Sequence, residues 1–224
     1  TSSYPWQSLR DALRGDPGAM FLDDLVPDEL KAEGWAEGWG LVDSHWSAFG
    51  SAATAQRVLR HFALPELTLS VVEEEVQAFG DLSSRWGPVA LAERWDRWIR
   101  CESPPPVLIR DNGQGSPGGG VVGRVVHWEC PSAPAALHLV VVGNSFAGPG
   151  NRPEELVYWL SRAVTQCTFV HSSEVPVDLV EALRPTAVLF QGLERFLPIV
   201  PRDQRSLVEV SRDYEAHGAG QQDA

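Results

Sequence analysis

The run Leu137-His138-Leu139-Val140-Val141-Val142-Gly143-Asn144-Ser145-Phe146 decides the fold. Leu137–Val142, broken only by His138, reads as a buried strand that ends in a turn carrying a serine. The sequence then alternates: a helix over Pro153–Val164, a strand over Cys167–His171, a helix over Val177–Leu183 and a strand over Ala187–Phe190. Pro153 near the first helix start and Glu154-Glu155 in its first turn suit the preferences of a helix N-terminus. Strand, helix, strand, helix, strand with apolar β-branched strands predicts an α/β protein. The expected architecture is a three-layer α/β/α sandwich whose mostly parallel central sheet holds the three strands as neighbours. In such sheets ligands sit at the carboxyl ends of the strands. Ser145 lies just beyond one of those ends.

Working outward, the first half supplies partners for that serine. Asp43-Ser44-His45-Trp46-Ser47, followed by Gly50, sets an acid and an imidazole two residues apart, ahead of a helix predicted over Ser51–Phe62 from the spacing of Ala52, Ala55, Val58, Leu59 and Phe62. Serine is too weak a nucleophile unless a base takes its proton. His45 can be that base, and Asp43 can orient the imidazole and stabilise its cation. The hundred residues between His45 and Ser145 are no obstacle, because triad members meet in space and their chain order varies between folds. Taken singly, each residue has a plainer reading. Asp43 suits a turn, with Ser47 capping the helix; His45 suits a packing site; Ser145 suits a small-residue turn. The pairing of the two motifs favours a site for acyl transfer. Gly143-Asn144-Ser145-Phe146-Ala147 lacks the second glycine of a G-x-S-x-G elbow, which argues against an α/β-hydrolase.

Composition narrows the field. The 224 residues suffice for one well-buried core, and their 43% hydrophobic and 21% charged content is ordinary for a globular protein. A net charge of −12 speaks against nucleic acid as partner, since binding of that kind needs clustered Lys and Arg. No apolar run reaches the roughly 18 residues of a membrane span. Thr1-Ser2-Ser3-Tyr4-Pro5 has neither the basic start nor the apolar core of a signal peptide, and the compartment stays open. Cys101, Cys130 and Cys167 form no C-x-x-C pair, so no structural zinc site is expected. Cys130 and Cys167 read as small buried hydrophobes, and a Cys101–Cys130 disulfide has little support from an odd count.

Elsewhere, residues 5–14 read as a short helix and Ala19–Leu22 as a brief strand. Val89–Ile99 reads as a helix, with Trp95 and Trp98 spaced among charges. Pro104–Pro106 and Asp111–Gly120 are turn and loop chemistry, and the Gly-rich loop lacks any phosphate-binding pattern. His127-Trp128-Glu129-Cys130 opens like an H-x-E box but lacks the following P-C-x-x-C of a zinc deaminase. His138 and His171 occupy strand positions and read as structural. Residues 1–214 are expected to form one domain, and residues 215–224 a disordered tail.

These motifs resemble one family, the alginate O-acetyltransferase group (AlgX/AlgJ type) of SGNH-like hydrolases. Its pattern D-x-H-W-[ST/N]-x-x-G is similar to Asp43-Ser44-His45-Trp46-Ser47 with Gly50. Its G-D-S-F is similar to Gly143-Asn144-Ser145-Phe146. Its later Lys/Arg-Pro-Asp-Val-Val strand leading to Glu-Arg is similar to Arg184-Pro185-Thr186-Ala187-Val188 and Glu194-Arg195. The resemblance covers roughly residues 20–200. The family's first-half strand with a Pro-Pro-Lys-like element has no counterpart after Tyr4-Pro5. Asn144 replaces the family's aspartate, whose part is to support the loop; an amide can keep some of that hydrogen bonding.

The resemblance implies an SGNH-type domain with permuted motif order. Ser145, His45 and Asp43 would be catalytic, and Asn144, Trp46 and Arg195 would line the oxyanion or substrate site. The implied activity is O-acyl, most simply O-acetyl, transfer or ester hydrolysis at a hydroxyl of a carbohydrate or small natural product. The acyl donor would be an acetylated partner, acyl-CoA or an acyl carrier protein, with no metal and no nucleotide cofactor. The rival reading is a non-catalytic carbohydrate- or partner-binding module that keeps the fold, with Asn144 as the first sign of lost activity.

Overall fold

The strand that opens the sequence argument is the centre of the molecule. In the computed structural model, which describes residues 5–20, 43–80, 82–83, 90–112, 122–192 and 205–212, it runs over Ala135–Gly143. Along the chain the elements are α1 (Pro5–Ala12), α2 (Ala48–His61), β1 (Leu69–Ala78), β2 (Glu93–Cys101), β3 (Val107–Asp111), β4 (Val125–Glu129), β5 (Ala135–Gly143), α3 (Leu156–Ala163), β6 (Val164–His171), α4 (Val177–Leu183) and β7 (Ala187–Phe190). Residues 207–212 add a helical turn.

β5 pairs in parallel with β6 on one side and β7 on the other, with Val140 opposite both Thr168 and Val188. Val140, Val141 and Val142 are wholly buried. Successive strand residues face opposite sides, and the core divides accordingly. Leu139 and Val141 join Phe146, Leu156, Trp159 and Leu160 with Phe49, Ala52 and Leu59 of α2. Val140 and Val142 join Val170, with Leu179 and Leu183 of α4 packed on them. Helices therefore cover both faces of the sheet, and the continuous apolar run is what a strand so covered requires.

The sheet itself is mixed, which corrects the expectation of a mostly parallel one. Its order is β3-β4-β6-β5-β7. β4 lies antiparallel to β6, and β3 antiparallel to β4. The cause is local. A tight turn closed by the Ala133 amide on the Cys130 carbonyl at 2.9 Å reverses the chain after β4. β6 then enters between β4 and β5.

A second correction concerns Val89–Ile99. Its described part is no helix: Glu93–Cys101 is strand β2, paired antiparallel with β1 in a separate two-stranded ribbon, Val71 opposite Ile99. Ile99 is 2% exposed. Trp95 reaches the Phe49 ring of α2 at 6.3 Å between centroids, which ties the ribbon to the main core. The expected strand at Ala19–Leu22 is absent over Ala19 and Met20, and Phe21 and Leu22 lie outside the described residues. The tail at 215–224 also lies outside them.

Two helices begin in ways that bear on the site. Ser47 caps α2, its Oγ accepting the Gly50 amide at 3.2 Å. α3 begins later than expected, at Leu156, because Glu155 is its N-cap and turns its carboxylate back. Oε2 accepts the amides of Gly150, Asn151 and Arg152 at 2.6, 2.7 and 3.3 Å. That buried carboxylate fixes the connection running from the serine turn into α3.

Cys101, Cys130 and Cys167 are all free thiols. Among the described residues no helix is long and apolar enough to cross a membrane.

Candidate active site

The serine turn is built by what β5 runs into. A Cβ on Gly143 would come within 2.8 Å of the Ala147 Cβ and 2.9 Å of the Gln191 side chain, so only glycine lets the chain curl so tightly against β7. Asn144 organises the turn. Its Oδ1 accepts the Phe146 amide at 2.9 Å, and its carbonyl accepts the Ala147 and Gly148 amides at 2.9 and 3.3 Å. Its own amide donates to Gln191 Oε1 at 3.4 Å. The side-chain oxygen of Asn144 thus holds the turn that presents Ser145. Among the described residues the Ser145 amide has no hydrogen-bond acceptor, alone among the five amides from Asn144 to Gly148.

The first-half motif arrives at the same place. His45 Nε2 stands 2.8 Å from Ser145 Oγ. His45 Nδ1 stands 2.6 Å from Asp43 Oδ1, and that same oxygen accepts the His45 backbone amide at 2.9 Å. A carboxylate at Nδ1 holds that nitrogen protonated, which leaves Nε2 as an acceptor for the serine hydroxyl. The His45 and Asp43 side chains are 18% and 23% exposed, shielded enough to strengthen a charge-assisted bond yet open to a small substrate. The His45 ring lies 4.6 Å from the Phe146 ring, and Trp46 meets that same ring edge-on at 5.4 Å. One phenylalanine, the residue after the serine, therefore positions both aromatic members of the other motif.

Of the residues expected at the site, Asp43, His45 and Ser145 come together. Asn144 shapes the turn that presents Ser145. Trp46 is buried, 7% exposed, and among the described residues its indole N–H has no hydrogen-bond acceptor. Arg195, with Glu194, lies outside the described residues.

Other groups share this end of the sheet. Burial pushes the Glu154 carboxyl up, assisted by the Glu155 and Asp43 carboxylates and opposed by a backbone hydrogen bond and by Arg152. His171 ends β6 directly opposite Gly143. Its imidazole is lowered from the ordinary 6.5 to about 4, first by burial and then by the Arg124 guanidinium. Arg124 itself is forked onto Asp111, Nε at 3.2 Å and Nη2 at 2.6 Å. From the sequence His171 reads as structural, Phe146 enters only as the last residue of the serine motif, and Gln191 is not marked at all. The place of His171 at a strand end next to the serine turn was the available signal, and it becomes visible only when β6 is known to pair with β5.

No group of three or more His, Cys, Asp or Glu side chains among the described residues is arranged to hold a metal ion. His127 and His138 instead share Thr168, each with a ring nitrogen 2.8 Å from its Oγ1.

No family model and no curated protein matches the chain. Among solved structures it is similar to Bacillus cereus PatB1, at 12% identity over 88% of this chain and 76% of that one, with a TM-score of 0.49. It is similar to Bacillus cereus PatB1 with a sulfonyl adduct, at 10% identity over 82% and 69%, with a TM-score of 0.47. The O-acetyltransferase domain of Pseudomonas putida AlgJ follows at 16% identity over 78% and 59%, with a TM-score of 0.40. Identity and overlap this low leave the chemistry of the site to be read from its own side chains.

Proposed function

We propose that the chain is a serine-dependent O-acyl transferase or esterase of SGNH type, working through an acyl-enzyme on Ser145. One observation carries the reading: the hydrogen-bonded chain from Asp43 through His45 to Ser145 at 2.6 and 2.8 Å. The resemblance of its motifs to the AlgX/AlgJ group points the same way.

In this reading Ser145 Oγ attacks the acyl carbonyl while its proton passes to His45 Nε2, and Asp43 stabilises the imidazolium. The free Ser145 amide is suited to receive the oxyanion, where a single donor of this kind is worth about 10²–10³ in rate. Breakdown returns the proton from His45 to the leaving group. A hydroxyl of a carbohydrate or small natural product, or water, then gives its proton to His45 and takes the acyl group. The donor is an acetylated partner, acyl-CoA or an acyl carrier protein. The loop-holding role of Asn144 Oδ1 supports a working turn in spite of the substitution.

The test is incubation with p-nitrophenyl acetate, followed by intact-mass measurement and peptide mapping. A burst of p-nitrophenolate with one acetyl on Ser145 is the expected result. Absence of both would leave the non-catalytic binding module as the reading.

A further inference from the structure

We propose that His171 is the contact that holds the hydroxyl-bearing acceptor beside Ser145, through a neutral imidazole on the β6 side of the serine turn. This inference rests on the proposed function and adds the acceptor subsite to it.

The placement follows from register. Gly143 and His171 are paired residues at the ends of parallel strands, and the Ser172 amide donates to the Gly143 carbonyl at 3.0 Å. His171 projects on the same face as Phe169, two residues earlier, and the two rings meet edge-on at 5.8 Å. That is the face over which the serine turn folds, because a Cβ on Gly148 would come within 2.6 Å of the Phe169 ring. Phe146 and Phe169 belong to one core cluster, Phe146 against His45 and Phe169 against His171. Both phenylalanines are buried, at 3% and 0% exposed, while both imidazoles remain partly open.

What distinguishes His171 is that its ring packs on Phe169 but leaves its two nitrogens unused among the described residues. Among the described residues neither ring nitrogen has a hydrogen-bond partner, whereas His45, His127 and His138 all use theirs. Its backbone is engaged on both sides, the amide with the Arg124 carbonyl at 2.9 Å and the carbonyl with the Gly123 amide at 2.8 Å, which fixes the point from which the ring projects onto Phe169. Burial, and after it the positive charge of Arg124 locked to Asp111, favours the uncharged imidazole. A neutral imidazole offers one donor and one acceptor, which is the complement of a hydroxyl group. An uncharged, polyhydroxylated acceptor such as a sugar fits this arrangement: one hydroxyl reaches His45 while a second is held by His171. In the transfer step the first hydroxyl gives its proton to His45 and its oxygen bonds to the acetyl carbon. Ser145 Oγ then leaves and recovers that proton from His45.

The experiment uses p-nitrophenyl acetate as donor and methyl α-D-glucopyranoside as acceptor, following the p-nitrophenolate burst and the division of acetyl between glucoside and water. His171→Phe is expected to keep the burst within about twofold of wild type. Its acetyl-glucoside yield is expected to fall about tenfold, with a raised acceptor KM, the loss of one hydrogen bond from a buried site. His171→Gln, which keeps a donor and an acceptor, is expected to lie between the two, and it carries the test if the phenylalanine variant does not fold. Acceptor KM and product division equal to wild type in either folded variant would overturn the assignment. So would loss of the burst with an unchanged melting temperature, since His171 would then serve acylation. A wild-type burst with no acetyl-glucoside at any acceptor concentration would overturn the acceptor class. A wild-type chain with no Ser145-dependent burst would instead overturn the proposed function itself.

Discussion

His45 Nε2 and Ser145 Oγ stand 2.8 Å apart although a hundred residues separate them in the chain. Two segments with no sequence contact are brought within hydrogen-bond distance, and the ring of Phe146 packs against His45 and Trp46 where they meet.

Replacing the proposed nucleophile gives the sharpest expectation. Ser145→Ala should remove the p-nitrophenyl acetate burst and the acetyl adduct, with a melting temperature within about 2 °C of wild type, because a half-buried hydroxyl at a turn contributes little packing. Turnover equal to wild type on esters would show that Ser145 is not the nucleophile.

Asp43→Asn should reduce acylation by roughly 10³–10⁴-fold without abolishing it. The amide oxygen can still accept the His45 backbone N–H, but the imidazolium loses its counter-charge. Steady-state kinetics should place the loss in kcat, with the substrate KM little changed.

Gly143→Ala tests the geometry of the turn rather than its chemistry. The new methyl has the Ala147 Cβ at 2.8 Å and the Gln191 side chain at 2.9 Å, so the turn must move. Destabilisation of about 1–3 kcal/mol in urea unfolding is expected, together with at least a tenfold loss of acylation. A variant with full stability and activity would mean that the tight approach is dispensable.

Asn144→Asp places an aspartate, as in the motif the sequence resembles, at a position whose side-chain oxygen already holds the Phe146 amide. A carboxylate accepts that bond more strongly. Turnover is expected to rise while the order of preference among ester substrates stays the same; a fall in turnover would show that the amide has a use of its own.

Stability should fall as the pH drops from about 6.5 towards 4. His171 takes up a proton in the unfolded chain at its ordinary 6.5, but in the fold only near 4. The unfolded state therefore binds more protons across that window, and acid favours it, by up to about 1.4 kcal/mol per pH unit. His138, lowered by burial and by His127, acts in the same direction. Across this window the melting temperature of His171→Phe should fall less than that of wild type.

The strands and helices of the second half were legible because a strand covered on both faces has to be apolar throughout, and Leu137–Val142 is. α4 and β7 fall on their expected bounds. The ribbon was not legible, for a physical reason. In β2 the inward positions are Glu93, Trp95, Arg97, Ile99 and Cys101, a period of two partly concealed by charged residues. Trp98, half-buried on the other side, supplied the three-residue spacing that imitates a helix. The antiparallel side of the sheet was hidden as well, because β3 is an exposed edge with Val107 and Ile109 more than half exposed, so its apolar residues mark no core. At the site, motifs sufficed to bring Asp43, His45 and Ser145 forward. The places of Gln191 and His171 depend on strand pairing, which short motifs do not encode, and the packing of Phe146 on His45 depends on how the two segments meet.

Because Asp43 and His45 belong to one segment and Ser145 to another, the reactivity of the serine reports on the join between them. Any opening of the Phe146–Trp46 contact parts His45 from Ser145 before either half of the core need come undone. The rate at which a covalent serine reagent labels Ser145, followed through a denaturant series, would thus serve as a gauge of local breathing, dropping ahead of the global unfolding transition seen by circular dichroism.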